Sequence, residues 1–102
     1  MQVFPEAVII NISPSQKKLL CDPKHVECIK GVEINDGRRP RIPISEIPAF
    51  ISCLEQLKAT LASDPDYAKR QPGKVIDQII LKLEGAAAAQ RRAYPKAGAR
   101  SN

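Results

Sequence analysis

Residues 28–61, CIKGVEINDGRRPRIPISEIPAFISCLEQLKATL, decide the fold, because they join a strand pattern directly to a helix pattern. The turn residues Asp36 and Gly37 divide the strand pattern, since both tolerate the positive φ that tight turns need. Ahead of this turn, apolar and polar residues alternate as in a half-buried strand. The inward residues are Val26, Cys28, Val32 and Ile34, and the outward ones are Glu27, Glu33 and Asn35.

After the turn, the alternation resumes in the basic segment RRPRIPIS, residues 38–45. Ile42 and Ile44 are predicted to face the core, and Arg39 and Arg41 are predicted to face solvent. Proline donates no ladder hydrogen bond, so the prolines at positions 40 and 43 predict a strand that is bulged or lies at a sheet edge. The two halves together predict a β-ribbon.

A helix is predicted to begin at Ser45, whose hydroxyl can cap the first turn. Glu46 suits the positive end of the helix dipole, and Pro48 is tolerated within the first turn. Ser63-Asp64-Pro65 is a stop signal. Apolar residues recur between these ends at steps of three and four, which predicts one buried stripe; they are Ile47, Phe50, Ile51, Leu54, Leu57 and Leu61.

The flanking segments complete the predicted fold. Residues 8–12 (VIINI) are predicted to form the first strand and residues 17–21 (KKLLC) a short second strand. Residues 74–83 predict a second amphipathic helix, which either ends at Gly85 or continues through the alanine run to Arg92. The expected fold is α+β, a four-stranded antiparallel sheet (β-β-β-β-α) followed by a second C-terminal helix. Residues 1–92 would form the domain, and residues 93–102 a flexible basic tail.

Composition excludes several classes of protein. No run approaches the roughly 20 apolar residues of a membrane helix, and no signal peptide is recognisable, so a cytoplasmic or nucleoid-associated protein without membrane contact is expected. Three cysteines at these spacings do not suggest a disulfide framework. Cys21, His25 and Cys28 are too few for a structural zinc site, which needs four ligands, so no metal is expected.

The sequence contains no recognisable catalytic group. His25 is the only histidine, which leaves few arrangements of a catalytic triad. No glycine-rich phosphate loop and no suggestive carboxylate pair occurs. We therefore expect a protein that is not an enzyme and that uses no cofactor.

The positive charge instead favours a polyanionic partner. The net charge is +5, and it is uneven, since residues 1–63 contribute +1 and residues 64–102 contribute +4. Single-stranded DNA or RNA suits cations spread over a sheet and its loops, because neutralised phosphates release counterions. Aromatic residues are scarce, which favours contacts to the backbone over base stacking. The predicted nucleic-acid-binding residues are Lys17, Lys18, Lys30, Arg38, Arg39, Arg41, Lys69 and Arg70.

Residues 7–63 resemble, in pattern, the single-stranded nucleic-acid-binding domains of the PUR and Whirly families and the positive-cofactor-four type. The resemblance is carried by the strand before Asp36-Gly37, the segment RRPRIPIS and the helix after Ser45. It implies a homo-oligomer, a dimer or tetramer, that binds single strands through its sheet and pairs through its helices. The apolar stripe of the second helix is the predicted oligomer interface, with Ile76, Ile79, Ile80 and Leu83.

Two alternatives use the same segments differently. The order strand, helix, loop and helix also resembles a ribbon-helix-helix regulator, in which Arg39 and Arg41 would read base edges in the major groove of duplex DNA. The other alternative is a small protein-interaction module that binds no nucleic acid. In that case the second helix would dock a protein partner, and the basic tail would aid solubility.

Overall fold

The computed structural model describes residues 1–20 and 38–95. Two strands, β1 (Gln2–Val3) and β2 (Ala7–Ile9), precede a short helix, α1 (Pro14–Leu20). The third strand, β3 (Arg41–Pro43), leads through a 3₁₀ turn (Ile44–Glu46) into helix α2 (Ile47–Ala62). A single-turn helix, α3 (Pro65–Ala68), then connects α2 to the longest helix, α4 (Pro72–Ala93).

The sheet is antiparallel with the order β1-β2-β3. Val8 pairs with Val3 on one side and with Ile42 on the other. Beyond the strands proper, the ladder continues where the Ile10 N–H donates to the Pro40 carbonyl (3.3 Å) and the Ile12 N–H donates to the Arg38 carbonyl (3.0 Å). β3 lies at the edge of the described sheet, as its prolines predict.

The predicted four-stranded sheet is wrong, since the sheet of the described residues has three strands. The segment at 17–21, predicted as a strand, belongs to helix α1 through Leu20. β1 lies in a segment for which no strand was predicted. The predicted strand ahead of the Asp36-Gly37 turn falls outside the described residues.

A capping box explains why α1 is a helix. The Gln16 N–H donates to Ser13 Oγ (3.1 Å), and the Ser13 N–H donates to Gln16 Oε1 (2.8 Å). This reciprocal pair satisfies two N–H groups that an uncapped helix end would leave unpaired. Pro14 occupies the first helical position, where its fixed φ suits the helix and its missing N–H costs nothing. The sequence Ser-Pro-Ser-Gln is therefore a helix start rather than a turn.

The α1 cap allows a direct test. We expect Ser13→Ala to lower the free energy of unfolding by about 1 kcal/mol, and Gln16→Ala by about 2 kcal/mol because Gln16 is also a buried hydrogen-bonding group. Urea denaturation followed by circular dichroism measures both. Ser15→Ala is the matched control, since Ser15 is exposed in the same helical turn. Equal losses for Ser13→Ala and Ser15→Ala would contradict the role of the cap.

The predicted helices form the core. α2 and α4 pack against each other, and α4 also contacts β1 and β2. The stripe of α2 is buried as predicted, except that Ile51 is only half-buried. Side chains from both helices and from the sheet meet in one cluster, in which Leu54, Ile79 and Leu83 are completely buried. At the surface of the helix pair, Lys58 Nζ and Asp77 Oδ1 form an ion pair of 2.8 Å.

Helix α4 runs past Gly85 and ends at Ala93. The alanine run favours helix and compensates for the glycine. Gln90 is buried near the C-terminal end, and its Nε2 donates to the carbonyls of Phe4 (3.3 Å) and Pro5 (2.9 Å). These bonds attach the end of α4 to the loop between β1 and β2.

Cys53 is disulfide-bonded, although the cysteine spacings did not suggest a disulfide framework. It is half-buried on α2. The other two cysteines, Cys21 and Cys28, lie outside the described residues. Three cysteines are an odd number, and their spacings suggest no particular pairing, so this bond was not predictable from the sequence.

Candidate nucleic-acid interface

Helix α1 determines where the first two predicted cations lie. Its buried face carries Gln16, Leu19 and Leu20. Lys18 lies on the opposite side and is exposed, whereas Lys17 is half-buried. The capping box sets where the helix starts, and the packing of its buried face decides which lysine points into solvent.

The junction between α3 and α4 places the next two cations. Lys69 and Arg70 are exposed, and Gln71 adopts a left-handed backbone conformation with φ 52° and ψ 58°. A residue with a side chain adopts this conformation at a cost of about 1 kcal/mol. The conformation turns the chain sharply, so that Pro72 begins α4 with its side chain buried. Arg70 is thereby held next to the first turn of α4.

These two segments meet in a pocket of about 270 Å³. Lys18 and Arg70, which are 52 positions apart in the sequence, both line it. Its apolar part comes from Leu19, Pro72 and Val75, and Ser15 adds a hydroxyl group. We name this site the basic pocket. Sequence reasoning identified both cations but not the apolar residues between them, because α1 was predicted as a strand.

The basic pocket combines two kinds of surface. Lysine and arginine attract an anion, and the N-terminal end of α4 adds a partial positive charge. Arg70 also interacts within the chain, so a ligand would share or displace that contact. Leu19, Pro72 and Val75 add apolar atoms to the lining, against which a flat or apolar group can pack, and the half-buried Val75 exposes the most of the three. A phosphate ester that carries a base or another apolar moiety fits this combination.

The cations of the basic ribbon lie elsewhere on the fold. Arg39 and Arg41 are exposed on the sheet face opposite Ile42, which is completely buried. Arg39 Nη2 donates to Gln2 Oε1 on β1 (2.8 Å). Arg38 has a positive φ of 57°, and its carbonyl accepts from Ile12, just ahead of the α1 cap. The ribbon therefore reaches the start of α1, and neither Arg39 nor Arg41 is among the described residues that line the basic pocket.

Other predicted positions have different outcomes. Lys30 lies outside the described residues. The predicted interface residues are buried within the chain, with Ile76, Ile79 and Leu83 completely buried and Ile80 8% exposed. They pack in the core with α2 and the sheet. An oligomer interface through them stays a prediction, and it would require the core to open.

Two further features bear on function. In the ranges 1–20 and 38–95, no three side chains of the types that ligate metals lie together. Cys21, His25 and Cys28 are outside those ranges. The helices described are all too short or too polar to cross a lipid bilayer.

The chain was compared with known proteins at three levels. No protein family, no curated protein and no solved structure matches it. The resemblance to the PUR, Whirly and positive-cofactor-four types therefore stays a prediction.

Proposed function

We propose that this protein is a non-enzymatic binder of single-stranded nucleic acid, and that the basic pocket is its principal contact. One observation carries the proposal: α1 and the start of α4 bring Lys18 and Arg70 into the lining of a single pocket that also has an apolar surface. Two cations spaced along a pocket can neutralise phosphates of one strand. The apolar side chains that share the pocket can contact the sugar that links those phosphates, or the base attached to it.

The pocket favours single strands over duplexes. Bases in a duplex are stacked and paired, so an apolar pocket can receive a base only from an unpaired region. Among the side chains that the structure describes, no aromatic one lines the pocket, and aromatic stacking normally supplies about 1–3 kcal/mol per base. We therefore expect moderate affinity that depends strongly on salt. Both DNA and RNA strands meet these requirements.

The proposal predicts a specific loss when both pocket cations are removed. Binding of a fluorescent oligothymidylate is measured by anisotropy between about 50 and 200 mM salt. We expect Lys18→Ala/Arg70→Ala to weaken binding roughly tenfold at the lower salt concentration. The slope of log K against log salt should fall by about 1.4, since each phosphate contact on a single strand contributes about 0.7.

The matched control is Arg91→Ala/Arg92→Ala, and sedimentation velocity at the concentrations of the titration checks that both double variants have the mass of the wild type. The control removes the same charge from the last turn of α4, which is about 30 Å from the first turn of this 22-residue helix. A general attraction between the basic chain and a polyanion would weaken equally in both double variants. Equal losses would therefore refute the pocket as the principal contact.

The same titration distinguishes the alternatives. Arg39 and Arg41 lie together on one exposed strand face, as a ribbon-helix-helix reader would require. A preference for duplex DNA that disappears in Arg39→Ala/Arg41→Ala would favour that function. Absence of binding to either form at about 50 mM salt would rule out a nucleic-acid function and leave a protein partner as the remaining candidate.

The location of the protein is part of the proposal. A single-strand binder would act in the cytoplasm or in association with the nucleoid. The Cys53 disulfide weighs against a reducing compartment, because disulfides persist mainly in oxidising ones. Trapping thiols with an alkylating agent in intact cells, before lysis, measures whether the bond exists where the protein acts.

A further inference from the structure

Leu81 is an apolar side chain with no role in the core of the chain. It lies at the centre of the outward face of α4 and is 67% exposed, the highest value among the large apolar residues described. Leu83, two positions later, is completely buried. Isolated exposed leucines are common, so exposure alone does not identify a binding surface.

Gly85 lies one turn after Leu81 on the same face. Glycine weakens a helix interior relative to alanine, so α4 itself gains no stability from Gly85. A Cβ atom added at Gly85 would meet no atom within 4 Å among the described residues. Packing within this part of the chain therefore does not require glycine there. Ala88 follows one further turn along and also has a small side chain. Small side chains at both positions permit the backbone of a second helix to approach closely.

The charges on this side of α4 indicate which helix could approach. Glu84 precedes the glycine and Arg91 and Arg92 follow it, and all three are exposed. A second copy of α4 in parallel orientation would set like charges opposite each other. In antiparallel orientation, Glu84 of each copy lies near the arginines of the other, so the face is complementary to itself across a two-fold axis.

We propose that two copies of this chain associate through the outward faces of their α4 helices, antiparallel, with the axis near Gly85 and Ala88. Leu81 of each copy would then be covered by the last turn of the other helix. The surface differs from the buried stripe that the sequence suggested as an interface. A 22-residue helix is about 33 Å long, and a single helix pair is at the small end of stable interfaces, so we expect a dissociation constant of roughly micromolar order. The proposal does not depend on the nucleic-acid function.

Sedimentation velocity of the full chain over a range of concentrations tests this interface. The wild-type protein should shift from monomer to dimer. Leu81→Asp should remain monomeric, with affinity at least about tenfold weaker. Gly85→Gln should also remain monomeric although its side chain has room in the monomer, and its thermal unfolding should show that the fold is intact. Ala59→Gln, on the exposed side of α2, is the control and should dimerise normally.

A charge exchange tests the antiparallel orientation. Glu84→Arg and the double variant Arg91→Glu/Arg92→Glu should each self-associate less than the wild type, and a mixture of the two should form heterodimers. A wild type that stays monomeric at millimolar concentration overturns the proposal. A dimer that Leu81→Asp and Gly85→Gln leave intact overturns it as well, and so does a charge-exchanged mixture that fails to pair. These experiments measure the oligomeric state and not the affinity for nucleic acid. A negative result would therefore refute the dimer without refuting the basic pocket.

Discussion

Replacing Leu83 by alanine should lower the free energy of unfolding by about 3 kcal/mol. Leu83 is completely buried where α4 packs in the common core. The substitution removes apolar contacts and leaves a cavity that a close-packed interior fills only partly. A domain of this size is stable by only about 5–10 kcal/mol, so this single change would remove a large fraction of its stability.

Leu81→Ala is the matched control, because it makes the same chemical change on the same helix at a position that is 67% exposed. We expect it to change the free energy of unfolding by less than about 0.5 kcal/mol. Guanidinium denaturation at low protein concentration measures both variants in the monomeric state. Similar losses of unfolding free energy for the two variants would mean that a different face of α4 packs against the core.

Replacing Cys53 by serine should lower the free energy of unfolding by about 3 kcal/mol under non-reducing conditions. Cys53 is disulfide-bonded on α2, and a cross-link that closes a loop of some tens of residues restricts the unfolded chain. With a reductant present, the wild-type protein should lose a similar amount, and the serine variant should lose nothing further. Reductant therefore separates the effect of the bond from the effect of the serine side chain.

Thiol counting provides an independent measurement. The chain has three cysteines, so one bond within a chain leaves one reactive thiol after denaturation without reductant. Peptide mapping of the unreduced protein would identify which cysteine is joined to Cys53. Three reactive thiols would contradict the disulfide and would restore the expectation drawn from the cysteine spacing.

Periodicity predicted the helices well. The stripe of α2 and the stripe of α4 each follow from apolar residues at steps of three and four, and both stripes are buried except at Ile51, which is half-buried. The extent of α4 was less predictable, because Gly85 weakens a helix locally while the surrounding alanines and the packing on the core extend it. β3 was also predictable, because inward-facing Ile42 follows outward-facing Arg41, as the alternation of a strand requires.

The sheet and the site were less predictable for different reasons. Two leucines after two lysines suit a strand or a helix equally, and the deciding information was the Ser13–Gln16 capping box just ahead of them. The basic pocket depends on a contact between α1 and α4 that no local pattern contains. Lys18 and Arg70 could be selected as exposed cations, but their meeting is a property of the assembled fold.

The two buried glutamines have a consequence for the register of α4 against the rest of the protein. An apolar stripe alone would tolerate a slide of one helical turn, about 5.4 Å, since one aliphatic side chain would replace another. Gln16 on α1 accepts from Lys82 (2.8 Å) and donates to Gln78 (3.3 Å), and Gln90 is bonded to the β1–β2 loop. Sliding would break the bonds in the middle of the helix and those near its C-terminal end at once, and it would leave polar groups unpaired in the interior. Apolar packing thus stabilises the docked helix, while a few side-chain amide groups determine its register.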